Sequence, residues 1–333
     1  MSKLIKKLLF IIYLQLIILI LLEIGVRLWG YSEHYIYDPI YMPYNKAADI
    51  PYVHKPNLEN ARARGLAIIN TDSLGLRSKI AGMQFGLKKD NEYRSAIVGD
   101  SVAFGEGIKK TEDTFPQIIE DVLNKKLSNT RTPVFNYAVS AYSVKEMTAT
   151  LKYRMLDIEP DLVIMAIIEG DFDLTRIPTI DERGYTCNYK MSGFVSKNSI
   201  PKRVLRGVHL TYVLRDIRYR WLNKNKNILN KTKENNLPES YRYIKQFKEI
   251  SDKYNLPYII VLLPSVSKQF ESNILEQLEK DSITFTDLSF IRSEFTVSQF
   301  VTSKFDGHAS SKVHKRIGEV LAENILKLSN INF

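Results

Sequence analysis

Ser95-Ala-Ile-Val-Gly-Asp-Ser101, with Phe104-Gly105 just beyond it, is an apolar run that ends in a glycine, an aspartate and a serine. Small and β-branched residues between the polar Asn91-Glu-Tyr-Arg94 and a Gly-containing turn predict a strand covered on both faces, the first and central strand of a parallel sheet. Such a strand delivers Ser101 to its carboxyl end, where open α/β sheets place their ligands. Taken alone, Ser101 has a second, weaker reading as the cap of the helix that follows it.

Outward from this strand the pattern repeats. Residues 114–127 carry Phe115, Ile118, Ile119, Val122 and Leu123 at helical spacing, with Pro116 in the first turn. Pro133-Val-Phe-Asn-Tyr-Ala-Val139 predicts a second strand, followed by the small polar loop Ser140-Ala-Tyr-Ser143 and a helix to about Leu156. Leu162-Val-Ile-Met-Ala-Ile-Ile168 predicts a third strand, which runs into Glu169-Gly-Asp-Phe-Asp173. Pro257-Tyr-Ile-Ile-Val-Leu-Leu263 and the alternating Ser282-Ile-Thr-Phe-Thr-Asp287 supply a fourth strand and a shorter edge strand. Helices are predicted over 241–254, 274–279 and, after a loop at Lys304-Phe-Asp-Gly-His-Ala309, over the C-terminus. Strands alternating with helices give an α/β fold, a three-layer α/β/α sandwich around a mostly parallel five-stranded sheet.

The N-terminus is of another kind. After Lys3, Lys6 and Lys7 comes a charge-free run over residues 8–22, closed by Glu23 and Arg27. No face of it is polar, which makes a buried core helix a poor reading, and it engages a membrane. Its uncharged core falls short of the ~20 residues of a usual spanning helix, so a cleaved signal peptide is the rival. No Ala-x-Ala-like cleavage site follows Leu22, and Trp29 and Tyr31 suit an outer interface, so an uncleaved transmembrane anchor over residues 1–30 is preferred. Three lysines before the run against one arginine after it place the N-terminus in the cytoplasm.

Residues 31–90, rich in Tyr, Pro and Asn, have no sustained period and predict a tether packed on the main domain of 91–333, with turn chemistry around Gly75 in Asn70-Thr-Asp-Ser-Leu-Gly-Leu-Arg77. Inside that domain, a helical insertion at about 175–237 holds Lys202, Arg203, Arg206, Arg215, Arg218, Arg220, Lys224 and Lys226. Within it, Leu210, Val213, Leu214, Ile217 and Trp221 recur at helical spacing. The basic face of that helix is either solvated surface or a surface for phosphate lipid heads or acidic glycan. The 333 residues carry a net charge of +10, which favours anionic surroundings. One cysteine, Cys187, excludes an internal disulfide and a Cys/Cys metal site. No metal or nucleotide motif appears, so no cofactor is expected; a location outside the cytoplasm argues against a nucleic-acid partner.

A serine hydroxyl becomes a nucleophile when a base takes its proton, and the base needs an acid to hold its tautomer. Among five histidines, His308 has an aspartate two residues before it, Asp306; His314, within the last helix, is the competitor. Asp100 is read as a turn residue bonding backbone amides.

Val98-Gly-Asp-Ser-Val-Ala-Phe-Gly105, Asn136-Tyr-Ala-Val-Ser-Ala141, Pro160-Asp-Leu-Val163 and Asp306-Gly-His308, together with the anchor and residues 70–77, resemble the SGNH (GDSL) hydrolase superfamily and its membrane-anchored bacterial members. The resemblance implies a flavodoxin-like sheet and a triad of Ser101, His308 and Asp306. It also puts Ser101, Ala141 and Gly170 at the oxyanion-hole positions, Ala141 as a backbone N–H donor and Gly170 where the family's donor is a side chain. Two positions depart from the family pattern: Ala141 stands where a glycine is usual, and Gly170, followed by Asp171, stands where the family has an asparagine donor. Asp171 is read as a backbone-bonding turn residue. The implied function is a serine esterase or O-acyltransferase at the bacterial inner membrane, acting outside the cytoplasm on acyl esters of surface carbohydrate. The alternative is a catalytically impaired relative that binds glycan or an assembly partner.

Overall fold

The computed structural model describes residues 3–175, 178–187, 207–223, 237–266, 270 and 272–328. Its main sheet has five strands: β1 (Ser95–Gly99), β2 (Val134–Asn136), β3 (Leu162–Ile167), β4 (Tyr258–Leu262) and β5 (Phe285–Asp287). They run in the order 2-1-3-4-5, and every neighbouring pair is parallel. This is the flavodoxin-like order, in which the chain leaves β1 in opposite directions across the sheet to build its two sides. β3, not β1, is the middle strand, since the second strand adds at β1's outer edge while three later strands extend the other side.

All residues of β1 and β3 are buried. Successive side chains of a strand point to opposite faces, so an unbroken buried run requires cover on both. The cover comes from helices. In chain order the longer helices are α1 (Lys3–Trp29), α2 (Phe115–Lys126), α3 (Val144–Tyr153), α4 (His209–Asn223), α5 (Leu237–Lys253), α6 (Ser272–Lys280) and α7 (Ser311–Leu328). α2 packs against α7 and α3 against α5. A Cβ on Gly318 of α7 would lie 2.7 Å from Ile118 of α2, so the glycine sets how closely those helices approach.

The chain divides into two compact units. The larger holds residues 37–190 and 235–333, including the whole sheet. Residues 37–90 form small antiparallel ladders in it, among them Asn70 against Ser78 and Thr71 against Arg77 around Gly75, whose φ is 79°. Asp72 closes that turn by accepting from the Leu74 and Leu76 amides, each at 2.8 Å.

The smaller unit holds residues 1–36 and 191–234. In it α4 starts against the last turns of α1: Glu23 accepts from the His209 and Leu210 amides at 2.9 and 2.8 Å, and Arg27 donates to the Gly207 carbonyl at 3.0 Å. Of the basic insertion, Arg215, Arg218 and Arg220 lie on α4, while Lys202, Arg203, Arg206, Lys224 and Lys226 lie outside the described residues.

Candidate active site

At the end of β1 the backbone must turn sharply into the one-turn helix Ser101–Phe104. Gly99 permits it: a Cβ there would meet Ala103 Cβ and the Ala166 carbonyl oxygen, both at 2.5 Å. Asp100 caps the turn, its Oδ1 accepting from the Val102 amide at 2.9 Å, and Gly105 ends it at φ 81°. Capping therefore falls to Asp100, whose Oδ2 also accepts from Ser101 Oγ at 3.2 Å, and the serine oxygen has a second, closer partner.

That partner is His308, whose Nε2 lies 2.9 Å from Ser101 Oγ. Its other ring nitrogen, Nδ1, is 2.5 Å from Asp306 Oδ1, which also accepts the His308 amide at 3.1 Å. A loop was expected here; instead Asp306–Ala309 is a strand paired antiparallel to Val301–Ser303. The ladder fixes the two residues relative to each other, and the Thr302 hydroxyl donates to the Asp306 carbonyl at 3.2 Å. His314, the competing base, lies elsewhere: it is fully buried in α7, and its Nδ1 accepts from the Phe115 amide at 3.1 Å.

The charges around His308 favour its imidazolium. Burial opposes that charge, but Glu106, then Asp306 and Asp100, outweigh burial and raise the imidazole to about 9. Burial likewise opposes the Asp306 carboxylate, whereas its hydrogen bonds and the charge of His308 hold it below the ordinary carboxylate value.

Loops from β2 and β3 flank the serine. The Val139 amide bonds the Gly99 carbonyl at 3.1 Å, so the Ser140-Ala141 turn follows directly beside the Asp100-Ser101 turn. Ala141 has φ 71°, a left-handed conformation that costs an alanine about 1 kcal/mol or more. Among the described residues its N–H has no hydrogen-bond partner. On the other side β1 and β3 pair Gly99 with Ala166, which puts the short helix Glu169–Phe172, and Gly170 with it, at the same sheet edge. Asp171 is fully buried and accepts the Ile168 amide at 2.9 Å. Gly170 has no side chain, so only its backbone N–H is available where an asparagine would offer an amide.

Glu106 escaped the sequence reading. Buried between Gly105 and Gly107, it accepts the Ser140 hydroxyl on Oε2 at 2.5 Å and Arg64 Nη1 on Oε1 at 3.4 Å. Arg64 is held in turn by Thr186 Oγ1 at 2.6 Å and lies over the Tyr37 ring, 5.0 Å from its centroid. The Tyr52 hydroxyl donates to the Ser140 carbonyl at 2.8 Å, so buried groups hold the Ser140-Ala141 turn from two sides. The signal available in the sequence was an acid framed by two glycines five residues after the serine.

No family model matches the chain, and no curated protein matches it. Solved structures do. A lipolytic protein of the G-D-S-L family from Desulfitobacterium hafniense DCB-2 is 15% identical at TM-score 0.43, covering 69% of this chain and 98% of that one. A mutant of an acetyl-xylooligosaccharide esterase from Geobacillus is 14% identical at TM-score 0.42, covering 72% of this chain and 94% of its own. A two-domain esterase active on acetylated mannans is 10% identical at TM-score 0.45, and the match covers 72% of this chain but 50% of that one. With TM-scores below 0.5 and such identities, none of these likenesses assigns a reaction, and the chemistry has to come from the residues themselves.

Proposed function

We propose that this chain is a membrane-anchored serine esterase or O-acyltransferase that works through an acyl-Ser101 intermediate on acyl, chiefly acetyl, esters of cell-surface carbohydrate. The observation that carries the reading is the chain of contacts from Ser101 Oγ through His308 to Asp306. His308 in its neutral form takes the Ser101 proton as the oxygen attacks the ester carbonyl. The imidazolium so formed sits beside Asp306, and the Ser101 and Ala141 amides are the donors offered to the oxyanion. His308 then returns the proton to the departing sugar hydroxyl. Water or a second hydroxyl, deprotonated by the same imidazole, releases the acyl group from Ser101.

The carbohydrate part of the proposal draws on the net charge of +10, which suits an anionic glycan. The membrane part draws on α1, whose 27 residues extend about 40 Å against ~30 Å of hydrocarbon, with Lys3, Lys6 and Lys7 on the cytoplasmic side of a bacterial inner membrane. An intact mass lacking the N-terminal residues would replace the anchor by a cleaved leader.

Fluorophosphonate labelling tests the chemistry. The wild type is expected to form an adduct on Ser101, and Ser101→Ala to lose both the adduct and ester hydrolysis by roughly 10⁴-fold or more. Labelling that survives in Ser101→Ala would refute the nucleophile. The second reading, a non-catalytic protein that binds glycan or an assembly partner, is favoured by one observation, Gly170 in place of an asparagine donor, a loss worth ~10²–10³ in rate. No adduct on the folded wild type would decide for it.

A further inference from the structure

α4 has two faces with different fates. Its polar face is engaged within its own unit: Asp216 accepts the hydroxyls of Tyr31 and Tyr35 at 2.8 and 2.7 Å, Arg215 lies 4.0 Å from the Tyr35 ring centroid, and Tyr212 stacks on the same ring at 5.2 Å. The opposite face carries Leu214, Ile217 and Trp221, exposed by 56%, 59% and 75%. At 3.6 residues per turn these three fall within roughly 60° of arc, a continuous apolar stripe. Arg218 and Arg220 flank it, one on each side, and both are exposed. A long aliphatic and indole stripe turned to water on a helix whose polar side is occupied needs an apolar cover.

The position of α4 says which. Its first amides are taken by Glu23, and the Gly207 carbonyl just before it by Arg27, the two charges that end the apolar run of α1. Around this junction α1 is itself exposed and apolar at Leu21, Leu22, Ile24, Leu28 and Trp29. If α1 spans the bilayer, as proposed above, α4 begins at the depth where hydrocarbon gives way to headgroups. Leu, Ile and Trp on one face with Arg on its borders is the composition that settles at that depth, the apolar side chains reaching into acyl chains and the guanidinium groups meeting phosphates.

We propose that α4 is a second membrane contact, an interfacial helix that seats Leu214, Ile217 and Trp221 in the outer leaflet beside the end of α1 and directs Arg218 and Arg220 to anionic lipid phosphates. The contact rests on the reading of α1 as an anchor, and it gives the chain a lipid-composition dependence that a single spanning helix lacks. A bilayer, rather than a second copy of the chain, is the occupant because the helix that bears the stripe starts against the end of α1, where α1 is itself exposed and apolar.

The chain has two tryptophans, Trp29 and Trp221, both exposed, so each serves as a reporter when the other is replaced by phenylalanine. Full-length Trp29→Phe, one copy per nanodisc, is expected to show blue-shifted emission from Trp221, quenching by lipids brominated in the upper acyl chain, and weak quenching by acrylamide. The lipid quenching is expected to strengthen as phosphatidylglycerol replaces phosphatidylcholine, and to lose that dependence in Arg218→Glu/Arg220→Glu. Trp221→Phe reads Trp29, and hence α1, in the same discs. Quenching of Trp29 by brominated lipid together with acrylamide-accessible, lipid-insensitive Trp221 would overturn the second contact and leave the anchor standing. Shielding of Trp221 from both quenchers would show protein as the cover and overturn it equally. Loss of lipid quenching at Trp29 would remove the anchor, and the proposal with it.

Discussion

Glu106→Gln is expected to move the pH–rate midpoint of ester hydrolysis downward. The general base must be neutral to accept the Ser101 proton, and burial, which disfavours the imidazolium, is outweighed by Glu106, Asp306 and Asp100, which hold His308 up at about 9. Glu106 leads the groups that raise it. At pH 7 a base with a midpoint near 9 is neutral in about 1% of molecules; lowering the midpoint by about one unit, or ~1.4 kcal/mol, makes that about 10%. Glutamine keeps an oxygen that accepts the Ser140 hydroxyl, so the charge changes while the turn stays held. The expectation is a kcat/KM at pH 7 higher by roughly tenfold and a plateau above pH 10 no higher than wild type. A chromogenic acyl ester followed from pH 6 to 10.5 gives the profile, and an NMR titration of His308 gives the same midpoint without turnover. Linkage supplies a second check. A raised histidine stabilises the fold fully below pH 6.5 and ceases to as pH rises through about 9. The variant should therefore lose more stability at pH 6 than at pH 10, where only the loss of the Arg64 ion pair remains. A midpoint that stays put, or rises, would refute the role given to Glu106.

Ala141→Gly relieves a left-handed alanine, and against the added freedom of the unfolded chain it should gain up to about 1 kcal/mol in urea unfolding with kcat/KM kept; a clear loss of stability would contradict the φ of 71°. Gly99→Ala drives a methyl against Ala103 and the Ala166 carbonyl, and is expected to cost about 2 kcal/mol or more and to slow fluorophosphonate labelling. His54 and His314 are depressed to about 3 by burial first and then by neighbouring cations, Arg154 and Arg77 for His54, Arg77 and His308 for His314. A depressed histidine stabilises fully above pH 6.5 and loses that contribution as pH falls, by about 1.4 kcal/mol per pH unit each, so urea midpoints should drop steeply from pH 6.5 toward 3, and less steeply in His314→Asn.

The sheet was legible because β1, β3 and β4 are buried on both faces and so read as unbroken apolar runs, each followed by turn residues. The hairpin that carries His308 was not. Its two strands are three and four residues long, contain Ser303, Asp306 and His308, and bury only Ala309, so no alternation marks them. Residues 37–90 escaped for a related reason, since their ladders run two to four residues and are specified by contacts rather than by period. Glu106 is the plainest case. Its partners, Arg64 and Ser140, lie 42 residues before it and 34 after it, and only the folded chain brings them together. Ala141 hid its conformation, because alanine carries none of the signal that a glycine gives a turn with positive φ.

Glu106 also bears on whether the site tolerates a glycine where the asparagine is usual. A carboxylate near the oxyanion opposes it, yet the same charge favours the imidazolium that His308 becomes when Ser101 loses its proton. Two contacts tilt this balance toward the second effect. The Ser140 hydroxyl donates to one oxygen of Glu106 and Arg64 approaches the other, so much of the carboxylate's charge is answered before it reaches the Ala141 turn. Among the charges that favour the cationic form of His308, in contrast, Glu106 still comes first. In this arrangement the Ser140 bond holds the turn that carries Ala141, the proposed oxyanion donor, and the residual charge favours the imidazolium of His308. Glu106→Ala should therefore show a lower kcat/KM than Glu106→Gln at every pH, because it releases the turn as well as the charge.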